Sequence, residues 1–194
     1  MYYTIYQNKH SMFPQIEPYQ SRIICMTSGL FYGPFLYTIY RRRRNVLQDY
    51  LNRKRIGSVE GDQMFPSHPI PSHPIPSQNI TVGQWLGIVS FISGTCSIIY
   101  WQNPRHDSMR YYIDLSTAKI TGVVYFFAGY KYVIGKYRRN IGYGLLTAII
   151  ISYHMSNTWY SLGQDQWYLW HMVMHFVTNV NCIHILNCVY DHHL

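Results

Sequence analysis

Four long stretches without a charged side chain constrain this sequence most. They cover residues 23–40, 80–101, 141–155 and 166–190. With 12% charged residues overall, random scatter would place roughly ten charges in these stretches. A run of about 18 or more uncharged, largely apolar residues is long enough to cross the hydrocarbon core of a bilayer, and 80–101 reaches that length. The pattern therefore predicts a membrane protein rather than a water-soluble domain.

A further span is predicted at 113–134, where the charged residues Asp114, Lys119 and Lys131 lie towards the two ends. The expected fold class is all-α, a polytopic transmembrane helical bundle of about five spans, with four or six also compatible. The mean hydropathy of −0.13 is low for a compact polytopic protein, and the conflict is resolved because the polarity is concentrated outside the spans. The predicted organisation is a polar N-terminal tail (1–22), a first span (23–40), a basic and Pro-rich cytoplasmic linker (41–79) and a transmembrane core (80–194).

The distribution of Lys and Arg predicts how the chain is oriented. Ten of them lie in 41–79 and just before the fourth span, whereas four lie on the other side. The positive-inside rule then places the N-terminus outside or in a lumen and the C-terminus in the cytoplasm. The quartet Arg41 to Arg44 directly follows a span, so we interpret it as an anchor beside anionic lipid rather than a nucleic-acid site. Membrane lipids are the expected partners, and the sequence leaves the oligomeric state open.

Polar groups inside a bilayer are energetically expensive and are therefore candidates for function. Ser90, Ser93 and Ser97 form one helical stripe that leads to Trp101. For Ser90 and Ser93 close helix packing is the favoured interpretation. Asp114 stands near a predicted helix start, where it is either a functional carboxylate or a partner of the helix dipole.

The last span carries the sharpest signal, His171 and His175. Their i, i+4 spacing places both imidazoles on one face of a helix, which suits a metal of the zinc type. Hydrogen bonding between helices is the competing interpretation of such a pair. Since successive spans alternate in direction, Ser97, Asp114, His154 and the two histidines are all predicted to lie in one leaflet, whichever way the bundle is oriented.

These residues carry a resemblance to a superfamily. Ser97, Asp114 and the His-x-x-x-His of 171–175 resemble the motifs of alkaline ceramidases, progestin-and-adipoQ receptors, haemolysin-III-like proteins and their myomaker-like relatives. The resemblance implies Zn²⁺ bound by His171 and His175. It also implies that Asp114 orients or binds a zinc-bound water and that Ser97 assists, in the hydrolysis of a lipid amide or ester. Trp101 stands where the superfamily has a third zinc-binding His, and His154 or His106 is the candidate replacement.

Three functions follow as hypotheses. The first is a zinc-dependent hydrolase of a lipid amide or ester, with Ser97 and Asp114 as catalytic residues and His171, His175 and His154 as metal ligands. The second is a non-enzymatic multi-pass scaffold, fusion or partner-binding protein that is a degenerate relative of the superfamily. The third is a channel or transporter component, for which Asp114, Lys119 and the membrane histidines provide the polar groups.

Overall fold

The computed structural model describes residues 16–60, 81–105 and 108–192. Within these ranges the chain contains helices and their connections and no strand. This confirms the predicted all-α class. A 3₁₀ turn at Gly29–Phe31 joins the first two helices. The α-helices are α1 (Pro18–Ser28), α2 (Tyr32–Glu60), α3 (Val82–Trp101), α4 (Met109–Tyr132), α5 (Lys136–Ser161) and α6 (Trp167–His192).

The described residues form five long helical rods, because α1, the 3₁₀ turn and α2 follow one another without a break. Three of the rods, Pro18–Asn52, Val82–Trp101 and Trp167–His192, are long and apolar enough to cross a membrane. The rod that begins at α1 differs most from its predicted span: helix continues beyond Arg41–Arg44 to Glu60, into the segment predicted as a linker. The Pro-rich repeat at 67–76 and His106 lie outside the described residues.

Local sequence signals account for most of the helix ends. Thr81 caps α3 by accepting from the backbone N–H of Gln84, whose side chain accepts in return from the N–H of Thr81. Ser108 caps α4 by accepting from the N–H of Tyr111. Between α4 and α5 the chain turns within three residues, and Gly135 adopts φ +91°, which side chains other than glycine disfavour. The helices α3 to α6 are therefore consecutive, closely connected and antiparallel.

The contact between α2 and α3 depends on glycines of α3. A Cβ atom placed on Gly87 would lie 2.7 Å from Cγ2 of Thr38 and 3.3 Å from Cα of Phe35. A Cβ atom on Gly94 would lie 2.9 Å from Cβ of Phe31, in the 3₁₀ turn that directly precedes α2. Small residues allow helix backbones to approach closely in membrane proteins, where packing rather than water exclusion drives helix association.

Ser90 lies on the same helix and is fully buried. Its hydroxyl is 2.8 Å from the hydroxyl of Tyr125 on α4, which also donates to the carbonyl of Leu86. This contact connects α3 to α4 inside the bundle, as the packing interpretation of Ser90 expects.

An ion-pair network closes one end of the bundle, which we call the basic end (Arg41–Arg44, Lys131, Lys136, Arg138 and Arg139). Asp191 of α6 accepts from Arg41 of α2 at 2.8 Å and from Arg138 of α5 at 3.0 Å. The Arg41 guanidinium also lies over the ring of Tyr190 at 5.5 Å. One carboxylate therefore joins three helices where they reach the same end.

Candidate functional site

A cavity of about 1020 Å³ lies within the bundle and has walls from α3, α4, α5 and α6. The helix α4 packs on α3 and α6, and α5 packs on α6, so that the cavity separates α4 from α5. The lining residues Phe126 on α4 and Tyr143 on α5 are 56% and 59% exposed. The cavity is therefore open along the side, between α4 and α5, and its volume reaches the upper range of ligand pockets.

Four of the five predicted site residues line this cavity: Ser97, Asp114, His171 and His175. Together with the hydroxyls around them they form what we call the polar cluster (Thr27, Ser28, Ser97, Asp114, Ser156, His171 and His175). The polar cluster lies towards the end of the bundle opposite the basic end. His154, the fifth predicted residue, is exposed on α5 and is not among the residues that line the cavity.

Ser97 connects α3 to α1 and to α4. Its hydroxyl lies 3.0 Å from the hydroxyl of Ser28 on α1 and interacts with the carboxylate of Asp114 on α4. The Ser28 hydroxyl donates its proton to the carbonyl of Ile24 at 2.9 Å, so the single proton of Ser97 has two acceptors within reach, the Ser28 oxygen and the Asp114 carboxylate. An acidic group interacts favourably with the helix dipole when it lies in the first turn of a helix. Asp114 is the sixth residue of α4 and therefore lies beyond that turn. Asp114 therefore lines the cavity and interacts with Ser97 rather than capping α4.

His175 is almost fully buried, with 4% of its surface exposed. Its Nδ1 lies 3.2 Å from Oγ1 of Thr27, whose own proton is donated to the carbonyl of Ile24. In this arrangement Nδ1 of His175 carries the proton and donates, which leaves Nε2 as an acceptor. The ring also packs edge-on against Phe31 in the 3₁₀ turn.

His171 lies one helical turn earlier, with its ring centroid 4.7 Å from that of His175. Its Nδ1 is 3.5 Å from the hydroxyl of Ser156 on α5. The indole ring of Trp101 packs against it edge-on at 5.2 Å. The histidine pair therefore links α6 to α1 and α5, as the hydrogen-bonding interpretation expects, and both side chains also face the cavity.

The polar cluster can be compared with the zinc site that the resemblance implies. Catalytic zinc usually has three protein ligands drawn from His, Cys, Asp and Glu. In the part of the chain that the structure describes, no three such side chains lie together in a group that could hold a metal ion. Trp101 occupies space beside His171 and offers only an N–H donor. The donor set does not fit a zinc centre built from these side chains, so we derive no step through zinc, and zinc stays a prediction of the resemblance.

Sequence reasoning missed three hydroxyl groups of the polar cluster. Thr27 and Ser28 lie in the first charge-free stretch, and Ser156 directly follows the third, 141–155. Adjacent hydroxyl residues inside an apolar span were a usable signal, because membrane spans bury such groups only with partners. Nothing in the sequence identifies which helix supplies the partner.

The middle of the cavity differs chemically from the polar cluster. Between the cluster and the basic end its walls carry mainly apolar and aromatic side chains, among them Phe126, Leu146, Ile149 and Ile185. Asp114 and Lys131 both line it and lie 17 residues apart on α4, which corresponds to about 25 Å along a helix. The cavity is therefore a long apolar cleft with polar groups at both ends.

Comparison of the chain with protein-family models, curated proteins and solved structures found no match.

Proposed function

We propose that this is a multi-pass membrane protein that binds a lipid in the cleft between α4 and α5. The observation that carries the proposal is the long cavity with a mainly apolar wall, open along the side between two helices of a membrane-type bundle. Apolar walls with a few placed polar groups are typical of ligand sites, and a side opening would admit an acyl chain directly from the bilayer. We infer the orientation from the charge bias, with the basic end in the cytoplasm.

Gly122 provides a direct test, because it lines the cavity and a Cβ atom there would meet nothing within 4 Å. A Gly122→Phe side chain would fill space that an acyl chain occupies, without a clash at the backbone. Forcing extra side-chain volume into an occupied site costs about 1 to 3 kcal/mol. A loss of about 1.4 kcal/mol lowers the affinity for the lipid ten-fold. We expect the lipid retained by the purified protein, measured by mass spectrometry of the extract, to fall about ten-fold.

Gly144→Phe is the matched control. Gly144 is exposed on α5 and does not line the cavity, and a Cβ atom added to it would also meet nothing within 4 Å. This variant should retain as much lipid as the unmodified protein. Equal retention by all three proteins, or no retained lipid in the unmodified protein, would overturn the proposal.

Hydrolysis of a lipid amide or ester is the second candidate. It is favoured by the convergence of Ser97, Asp114, His171 and His175 at one end of the cavity. A carboxylate and two imidazoles in a poorly hydrated site are groups that can hold and move a proton near a bound carbonyl. The alternative is a scaffold or partner-binding protein that keeps the cleft without chemistry.

His171→Gln separates these two candidates. If the protein is a hydrolase, turnover of a long-chain amide or ester, measured with and without added zinc, should fall by about 100-fold or more when a proton-transfer group is lost. Lipid retention should remain, since the apolar wall is intact. Unchanged turnover in the variant, or no turnover in the unmodified protein, would contradict hydrolysis, and lipid binding would then be the only one of the two functions that stands.

A further inference from the structure

We propose that the cleft selects a lipid with an anionic, phosphate-bearing headgroup, which Lys131 and Arg139 bind at the basic end. The inference deepens the proposed function and rests on it, because it names the class of lipid. Lys131 lies at the end of α4 and Arg139 near the start of α5, and both line the cavity.

The short connection between α4 and α5 brings these two cations to one mouth. Residues 133–135 are the whole connection, and the positive φ of Gly135 allows the reversal. Lys131 and Arg139 therefore both line the cavity close to this connection, on the two helices that the cavity separates. A phosphate group is the ligand chemistry that a neighbouring lysine and arginine favour.

The acid at this end is already paired. Asp191 accepts from Arg41 and Arg138, at 2.8 and 3.0 Å. Neither Lys131 nor Arg139 has an ion pair with a carboxylate among the described residues, although Lys131 lies over the ring of Tyr132 at 5.1 Å. The mouth of the cleft at the basic end thus carries two cations without an acidic partner among the described residues, so an anionic ligand would complete the charge balance. Lys119, which also lines the cleft, lies towards the other end, five residues from Asp114 on α4.

A second polar group lies deeper in the same cleft. The side-chain oxygen of Asn181 on α6 is buried and has no hydrogen-bond partner, and Asn181 lines the cavity. An unpaired buried amide costs free energy unless a ligand satisfies it. Because Asn181 lies six residues from His175, about 9 Å along α6, it is placed between the polar cluster and the basic end. Because Oδ1 only accepts, the lipid group that satisfies it must be a donor such as a hydroxyl or an amide N–H, whereas an ester carbonyl can only accept from the Asn181 amide NH₂.

The expected specificity follows from these positions. A zwitterionic lipid carries its own cation beside the phosphate, which Lys131 and Arg139 would repel. An anionic lipid of the same chain length carries a net negative charge and gains the attraction of both. Each basic group near a membrane surface favours binding of anionic lipid, and two of them together correspond to about 30-fold enrichment.

The test uses the full chain, purified and incubated with an equimolar mixture of phosphatidylglycerol and phosphatidylcholine with identical acyl chains. Bound lipid is then counted by native mass spectrometry. We expect about 30-fold enrichment of phosphatidylglycerol on the unmodified protein. The double variant Lys131→Gln, Arg139→Gln should bind a similar total amount of lipid with enrichment close to one.

The matched control loses two positive charges at the same end of the bundle but outside the cavity, as Lys136→Gln with Arg43→Gln. Both residues are exposed and neither lines the cavity. This control should keep the enrichment of the unmodified protein. Equal loss in both double variants would overturn the inference, because it would assign the effect to general surface charge.

The remaining outcomes separate the inference from the proposed function. Retained lipid without preference for phosphatidylglycerol would refute the headgroup assignment and leave lipid binding in place. No retained lipid in any variant would refute both. If the protein binds inorganic phosphate through Lys131 and Arg139 but shows no enrichment of phosphatidylglycerol, the site binds free phosphate, and the assignment to a lipid headgroup is overturned.

Discussion

Gly87→Leu is expected to lower the stability of the bundle by about 3 kcal/mol, the upper part of the range for overpacking. Even the first carbon of a side chain at this position would lie 2.7 Å from Cγ2 of Thr38 and 3.3 Å from a backbone atom of Phe35. Helices α2 and α3 would have to move apart. The apparent melting temperature in mild detergent, followed by intrinsic fluorescence, should fall by about 5 to 10 °C.

Gly144→Leu is the control for this prediction, since a side chain there meets nothing within 4 Å and should leave the melting temperature within about 1 °C. A double-mutant cycle then tests the contact itself. Gly87→Ala alone should destabilise the protein, and Thr38→Ala in the same chain should restore part of the loss, because it removes both nearest atoms. Strict additivity of the two changes would contradict the proposed close approach of α2 and α3.

Asp191→Asn is expected to have the second-largest effect on stability. It keeps the shape of the side chain but removes the negative charge that faces Arg41 and Arg138. The Arg41 side chain is only 11% exposed, whereas Arg138 is 45% exposed. Loss of a partner costs about 3 to 5 kcal/mol for fully buried pairs and about 0 to 1 kcal/mol for exposed pairs. For this half-buried network we expect about 2 kcal/mol, seen as a lower melting temperature.

Asp49→Asn gives the comparison for that measurement. Asp49 is exposed on α2 and forms no ion pair among the described residues, so its substitution should change stability by less than about 0.5 kcal/mol. Equal melting temperatures of the two variants would show that the Asp191 network contributes nothing to the end of the bundle.

Much of the fold could be predicted from where charge is absent. The charge-free stretches 80–101 and 166–190 agree closely with α3 and α6, because the bilayer excludes charge from the faces of a spanning helix. The continuation of α2 to Glu60 could not be predicted in the same way. Outside the membrane a polar helix carries no hydropathy signal, and the arginines of 41–44 mark a boundary in polarity rather than a helix end.

The candidate site was predictable in part. Alternation of antiparallel spans was enough to place Ser97, Asp114, His171 and His175 at one end of the bundle, and all four line the cavity. The same reasoning predicts how deep a residue lies in the bilayer but not the direction in which its side chain points. His154 was therefore included among the predicted site residues, although its side chain is exposed on α5. The rotation of each helix depends on packing between distant segments, such as the glycines of α3 against α2.

The most direct test of lipid binding in the cleft is a cryo-electron microscopy map of the protein in lipid nanodiscs, with a bound antibody fragment for alignment. We predict an elongated density between α4 and α5 that passes Gly122 and ends in a headgroup-sized feature between Lys131 and Arg139. Contact of α4 with α5 along their length, or a cleft without density at the level of Gly122, would contradict lipid binding at this site.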